Sequence, residues 1–272
     1  MNGLWHTAVS ALELTALELF VLAVPTLALG WCLQVVSTTT QSWGFRLLGR
    51  WTWLWVLPGV VIHELSHAAL CLVFFHRIRS IRFAAPSSAG GRMGYVLHTY
   101  NSRSTYQRVG RFFIGAAPLL AGGMVIYAAA LWLVPAITPH HLPFPVVSSN
   151  GLTAAGDYFG QLLDRLLSPS EFVRWEFYLF VYILGTVGGS LSLSAADLRG
   201  MGFGFLIVAG LVLLFNLLLC HLYPLPRLFT LLHAVTAAHR FTFVLAMMTC
   251  VLMLNSILLV LLYALAWLKR LR

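Results

Sequence analysis

Six apolar stretches, at about residues 11–33, 52–75, 112–134, 177–194, 203–222 and 241–268, dominate this chain. Each approaches or exceeds the roughly 20 residues that a helix needs to cross the hydrocarbon of a bilayer. The fold class they imply is an all-α polytopic membrane protein with about six transmembrane helices. Of the 272 residues, 60% are hydrophobic and 9% charged, whereas a soluble domain carries ~25% charged side chains. Gly185, Gly188 and Gly189 interrupt the fourth stretch, which membrane helices tolerate where they pack closely. The first stretch has no basic region before it and ends in "GWCLQVV" rather than a small-residue cleavage site, so it reads as a retained helix. With no separate soluble domain visible, 1–272 reads as a single transmembrane domain.

The charges carry a topology. Seven arginines (Arg77, Arg79, Arg82, Arg92, Arg103, Arg108 and Arg111) and no acidic residue lie between the second and third spans, and Lys269, Arg270 and Arg272 close the chain. With six crossings and the amino terminus inside, these groups and Arg199 fall on the cytoplasmic face together with both termini. Asp157, Asp164, Glu171 and Glu176 then fall outside, as the positive-inside rule requires. The formal charge of +9 therefore reads as a topology signal and as contact with the anionic lipid bilayer, not as a nucleic-acid interface. Cys32, Cys71, Cys220 and Cys250 lie in or beside the spans without metal-ligand spacing, which suggests neither a disulfide framework nor a cysteine zinc site.

Between the spans the chain has three local signals. "RIRSIRFAAPSSAGGRMGYVLHTY" (77–100) holds two short runs rich in β-branched and aromatic residues around a Pro/Ser/Gly turn, and predicts a small β-hairpin after the second helix. After the Pro/His-rich "PAITPHHLPFP" loop, "DYFGQLLDRLLS" (157–168) aligns Phe159, Leu162, Leu163, Leu166 and Leu167 on one helical face, predicting a short helix along the membrane surface. "SPSE" (168–171) has the form of a capping box that would start the fourth span.

The chemistry is concentrated in "VIHELSHAAL" (61–70), where ionisable residues interrupt an apolar run. An unpartnered charge at bilayer depth costs at least ~2.5 kcal/mol. His63-Glu64-Leu65-Ser66-His67 matches H-E-x-x-H, a spacing that puts both imidazoles on one face of a helix, within reach of one metal ion, with Glu64 beside it. Zinc suits such ligands. Its bound water has a pKa near ~7, and a neighbouring carboxylate, here Glu64, can take the proton as the water attacks a carbonyl.

A third ligand has to reach the same depth from elsewhere. The second span runs outside to inside and places His63 and His67 in its inner half. The fourth runs the same way and ends in "GGSLSLSAADLRG" (188–200), which brings Asp197 to a comparable level. Besides Glu64 it is the only carboxylate expected there, because Glu13 and Glu18 lie in the first span. Asp197 could instead be an interfacial carboxylate paired with Arg199, and His221 and His233 are further candidate ligands.

These motifs, with the basic hairpin and "GAAPLLAGG" (115–123) in the next span, resemble the site-2 protease family of intramembrane zinc metalloproteases over about residues 52–200. The resemblance implies one zinc ion held by His63, His67 and Asp197, Glu64 as the catalytic base, and a hairpin that guides a transmembrane protein substrate. Residues 52–200 would be the protease core, with 1–51 and 201–272 as accessory helices. The family's aspartate sits in an Asn/Pro-rich stretch followed by glycine, whereas Asp197 follows serines. "HLYPLPRLFT" (221–230) has the proline spacing of that motif but carries Phe229 where aspartate would stand, and phenylalanine binds no metal.

A helical substrate must unwind before a peptide bond can be reached. A free hairpin edge could accept the unwound segment as an added strand, and Gly94, Tyr95 and Val96 are the residues expected to receive it. Gly90, Gly91 and Gly94 could equally serve the turn, and Gly115, Ala116, Ala117 and Gly122 read as helix-packing positions. His76 and His98 receive no role. Rival readings are a serine hydrolase using Ser190 or Ser192, which lacks a Gly-x-Ser-x-Gly elbow, and a prenyl-protein protease type with a glutamate ligand, for which Glu171 and Glu176 lie on the wrong side. The non-enzymatic alternative is an inactive protease-like protein that binds transmembrane helices as a chaperone or regulator.

Overall fold

The structure is a computed structural model and describes residues 2–83, 93–139, 141–142, 151–222 and 239–270. Helix dominates: α1 (Asn2–Leu48), α2 (Trp53–Val73), α3 (Thr105–Leu133), α4 (Gly151–Leu166), α5 (Trp175–Gly188), α6 (Ala195–Leu222) and α7 (His239–Arg270), with the strands β1 (Arg77–Arg82) and β2 (Tyr95–Thr99) after α2. Four helical runs are long and apolar enough to cross a membrane: Thr7–Val73, Thr105–Leu133, Ala196–Leu222 and Thr242–Lys269. The first joins α1 and α2 through a 3-10 turn, Gly49–Thr52. Gly49 enters that turn at φ +57°, in the left-handed region that glycine adopts without strain.

Three expectations change. The first helix does not stop near residue 33. The helix runs through "STTTQS" to Leu48, and the hydroxyls of Thr38, Thr39, Thr40 and Ser42 are satisfied within it by donating to carbonyls one turn back, at 2.6–2.8 Å. The fourth expected span, 177–194, is helical only to Gly188, leaving a 14-residue helix and an irregular stretch from Gly189 to Ser194. Nor does "SPSE" begin a helix. Residues 168–174 make successive turns, Glu171 N–H to Ser168 O and Arg174 N–H to Glu171 O, both 3.0 Å. The Glu171 carboxylate meets Arg174 at 3.4 Å rather than reaching back to the Ser168 backbone.

The amphipathic helix forms as α4, but protein covers its apolar face. Tyr158, Leu162 and Leu166 are buried in a core shared with Leu33, Ile126, Phe180, Leu184 and Met247. Arg165 ties α4 down by donating to the carbonyls of Ala136 and His141 at 3.0 and 2.7 Å.

The hairpin is antiparallel, with Ile78 opposite His98 and Arg82 opposite Tyr95, and a bulge between Ile78 and Ser80. Its Pro/Ser/Gly turn, with Gly90 and Gly91, lies outside the described residues, as do Phe229 and His233.

Around this frame α2 packs against α3 and α5, α3 against α6, and α1 against α6 and α7. Glycines set the close approaches. A Cβ on Gly59 would land on the Thr186 carbonyl oxygen, one on Gly185 on the Trp55 ring, and one on Gly188 on Val251. Gly115 faces Met201 and the Asp197 carbonyl, and Gly122 faces Leu191, so the small residues of "GAAPLLAGG" serve helix contact as expected. Pro58 cannot offer an N–H to Leu54, and that carbonyl accepts the Tyr182 hydroxyl from α5 at 2.6 Å. Gly59→Ala is therefore expected to lower stability by about 1–3 kcal/mol through overpacking, seen as a fall in melting temperature in detergent. Gly30→Ala, with nothing within 4 Å of the new methyl group, should be neutral or stabilising by up to about 1 kcal/mol.

Candidate metal centre

His63 and His67 lie on one face of α2, and each ring is fixed by a backbone carbonyl from a different element. His63 Nδ1 is 2.7 Å from Ser190 O, and His67 Nδ1 is 2.7 Å from Ile114 O. A carbonyl can only accept, so Nδ1 carries the proton in both rings. When neutral, each therefore presents an unprotonated Nε2.

Both carbonyls are free of helical partners. Ser190 lies past the end of α5. Ile114 lies inside α3, where its helical partner would be the N–H of residue 118; that residue is proline and has none. Pro118 thus releases the acceptor that orients His67.

The two Nε2 atoms are 3.2 Å apart, and Asp197 Oδ1 is 3.4 Å from His67 Nε2. Asp197 lies in the first turn of α6, not at the end of α5, and a reciprocal cap holds it there. The Ser194 N–H donates to Asp197 Oδ2 at 2.7 Å, and the Asp197 N–H is 3.2 Å from Ser194 Oγ. One carboxylate oxygen is thereby anchored and the other turned toward the imidazoles. The serines that stand where an Asn/Pro-rich stretch was expected supply this anchor. Among the described residues Asp197 forms no ion pair with Arg199.

One ligand atom from each of His63, His67 and Asp197 lies within 4.8 Å of the other two. Two imidazole nitrogens and a carboxylate oxygen are a zinc donor set. Nitrogens about 2.0–2.1 Å from a tetrahedral centre sit about 3.3 Å apart, close to the 3.2 Å between the imidazoles. The residues present therefore fit a zinc ion. Glu64, buried on α2, faces the same cavity of about 430 Å³, as do both histidines, Asp197, Gly94, Tyr95 and Val96. A Cβ on Gly94 would come within 2.9 Å of Glu64 Cγ and of Arg82 O, and within 2.8 Å of Val60 Cγ1. At this glycine the demand is close approach to α2, not a turn.

Other candidates lie elsewhere. Glu171 and Glu176 are engaged by Arg174, and His221 stands in the last turn of α6, opposite the end that carries Asp197. Ser190 enters through its carbonyl.

Sequence reasoning missed one wall of the cavity. Gln34, Ser37, Thr38 and Gln41 of α1, outside the 52–200 core, line it together with the hairpin residues. Their spacing, i, i+3, i+4, i+7 on an otherwise apolar helix, was the available signal. Ser37 Oγ is buried there without a hydrogen-bond partner among the described residues. Arg111, which donates to the Tyr100 hydroxyl at 2.9 Å, also lines the cavity.

No family model, curated protein or solved structure matches this chain. The crowding at Gly94 is directly testable. Gly94→Ala is expected to push β2 away from α2, raising amide exchange over residues 95–99 about tenfold or more, equivalent to about 1.4 kcal/mol, while α2 exchanges as before.

Proposed function

We propose that this chain is an intramembrane zinc metalloprotease that hydrolyses peptide bonds in or near transmembrane segments of other membrane proteins. The observation that carries this reading is the pair of imidazoles, each with Nδ1 committed to a carbonyl and Nε2 directed at the other and at Asp197. Two unprotonated nitrogens at that separation repel unless a cation lies between them, and the nearby carboxylate supplies opposite charge.

In this reading His63, His67 and Asp197 hold the ion, and the carbonyls of Ser190 and Ile114 keep the imidazoles in the binding tautomer. Bound zinc supplies Lewis acidity, acidifying water and polarising a carbonyl. Glu64 takes the proton from the attacking water and delivers it to the departing amide nitrogen, so that the peptide and water become a carboxylate-bearing fragment and an amine-bearing one. The substrate segment unwinds and lies along β2 at Gly94, Tyr95 and Val96, which face the same cavity as Glu64.

The membrane arrangement belongs to the same proposal. α1, α2, α3, α5, α6 and α7 make six crossings, with both termini and the arginine-rich hairpin cytoplasmic. At about 21 Å by helix rise, α5 alone is too short for a crossing, and the irregular 189–194 stretch completes it. Non-helical backbone is tolerated at that depth where it lines a cavity, and Ser190, Ser192 and Ser194 do line one.

Metal content and turnover test the reading together. The purified wild type should hold zinc at the His63–His67–Asp197 cluster. Asp197→Ala should weaken retention there by at least about tenfold. Glu64→Gln should keep the ion and lose about 10²–10⁴-fold in cleavage of a transmembrane reporter. If His63→Ala/His67→Ala leaves metal content unchanged, the proposal fails. If zinc is retained and no reporter is cut, the non-enzymatic helix-binding role is favoured instead.

A further inference from the structure

We propose a second zinc site, formed by Cys71, His76 and His98, that fastens the hairpin to α2. One ligand atom from each of the three lies within 4.8 Å of the other two. This inference goes beyond the protease reading and does not depend on it.

The site is assembled by the way α2 ends. Cys71, fully buried, sits in the last turn. The helix closes with Phe75 N–H to Leu72 O at 3.2 Å and His76 N–H to Cys71 O at 2.8 Å, the paired bonds of a Schellman motif. That motif places its C′ residue in the left-handed region, usually as glycine. Here the residue is Phe75, at φ +55°, a conformation that costs a side-chain-bearing residue about 1–2 kcal/mol. The turn folds His76 back beside Cys71. His98 comes from β2, opposite Ile78 and next to the bulge, with its Nδ1 3.0 Å from His76 Nδ1.

The rings are prepared in the same manner as the first pair. His76 Nε2 lies 2.9 Å from the Gln107 carbonyl. It must be the protonated nitrogen, and in the neutral ring Nδ1 is left as a free donor atom for a metal. Burial pushes His76 below its ordinary value, against the carbonyl bond that raises it. Burial, with His76, His67 and Arg111 nearby, brings His98 down to about 4. Both imidazoles are thus neutral near pH 7, the form that ligates. In the apo state the two Nδ1 atoms can share one hydrogen bond; with a cation present, both turn to it.

A thiolate and two imidazoles select a borderline cation such as Zn²⁺ over Mg²⁺ or Ca²⁺, which require oxygen ligands. Binding converts the Cys71 thiol to a thiolate bonded to zinc and releases one proton, so the site gains one net positive charge rather than two. Arg111, the cation closest in influence, is turned to the Tyr100 hydroxyl. His63, His67 and Cys71 are spaced i, i+4, i+8 along α2, so Cys71 lies one turn, about 6 Å of helix rise, beyond His67. His98 carries the link, because it also lines the cavity of the first cluster. An ion here would hold β2, and with it the Gly94–Val96 edge, against the helix bearing Glu64.

The test uses the full chain in detergent, equilibrated with buffered Zn²⁺ or Co²⁺ and freed of excess. Expected are two zinc ions per chain in the wild type, one in Cys71→Ser and one in His63→Ala/His67→Ala. The cobalt-loaded wild type and His63→Ala/His67→Ala should both show a near-ultraviolet thiolate-to-cobalt band, since the first cluster contains no sulfur. Cys71→Ser and His76→Asn should lose that band while eluting as monodisperse protein. The proposal is overturned if the wild type lacks the band, if the band persists in Cys71→Ser, or if Cys71→Ser holds as much metal as the wild type. Failure of the first cluster alone looks different: one ion in the wild type, with the sulfur band intact.

Discussion

Two hydrogen bonds govern the centre of this protein: His63 Nδ1 to Ser190 O and His67 Nδ1 to Ile114 O, each 2.7 Å. In an apolar helix an imidazole needs a polar partner, and most backbone carbonyls are already committed to their own helices. The chain solves this by freeing one carbonyl beyond a helix end and another opposite Pro118. Removing either acceptor would let the ring change tautomer or rotate, and Nε2 would no longer be the atom facing its neighbour. Pro58 does the same between α2 and α5, where the released Leu54 carbonyl accepts from Tyr182. Proline inside these helices is less a defect than a source of acceptors for the helix alongside.

Close packing makes those bonds reachable. Gly59 brings α2 against the Thr186 carbonyl, and Gly115 brings α3 against the Asp197 carbonyl and Met201. The first contact sets the spacing between α2, which carries the histidines, and α5, which leads to Ser190; the second sets that between α3, which carries Ile114, and α6, which carries Asp197. A larger residue at Gly59 would move His63 and its orienting carbonyl apart, and one at Gly115 would move Asp197 away from the helix whose Ile114 carbonyl orients His67. The chemistry of the site is therefore specified as much by residues that lack side chains as by those that have titratable ones.

The sequence was most legible where spacing alone decides geometry. H-E-x-x-H on an apolar run put both imidazoles on one face, and two runs rich in β-branched and aromatic residues around a Pro/Ser/Gly turn marked the hairpin with nearly its observed ends. Asp197 was reached by a less secure route. Counting spans placed it at the inner end of the fourth crossing, yet α5 ends at Gly188 and the aspartate belongs to the first turn of α6. The aspartate still meets the histidines because a short irregular segment links the two helices, and the Ser194 cap that orients the carboxylate has a local sequence signal, S-x-x-D. "SPSE" has the same kind of signal and forms turns instead, because Arg174 takes Glu171. The two outcomes differ in what the acidic side chain meets, Arg174 in one case and the Ser194 backbone in the other, and the four-residue signal does not contain that difference. The same holds for Cys71, whose proximity to His98 depends on a left-handed Phe75 and on the strand register.

The proposed hydrolysis within lipid would demand water access, and α1 bears on it. A helix surrounded by hydrocarbon has no use for Gln34, Ser37, Thr38 and Gln41 on one stripe, since each uncompensated polar group is costly there. Thr38 satisfies its hydroxyl on its own helix at 2.6 Å, but the Ser37 hydroxyl has no such bond among the described residues. All four line a cavity that is also lined by Gly94, Tyr95 and Val96, both histidines and Asp197. A volume of about 430 Å³ has room for on the order of ten waters at ~30 Å³ each, or for an extended segment of a few residues. Under the proposed function the polar stripe has an explanation in what would fill the cavity: water while it is open, and peptide N–H and C=O groups if a substrate strand displaced that water. The carboxamides suit both occupants because each can donate and accept. The helix that precedes the H-E-x-x-H chemistry thus has a physical reason for its polar stripe, and its length beyond residue 33 is what carries that stripe to the site.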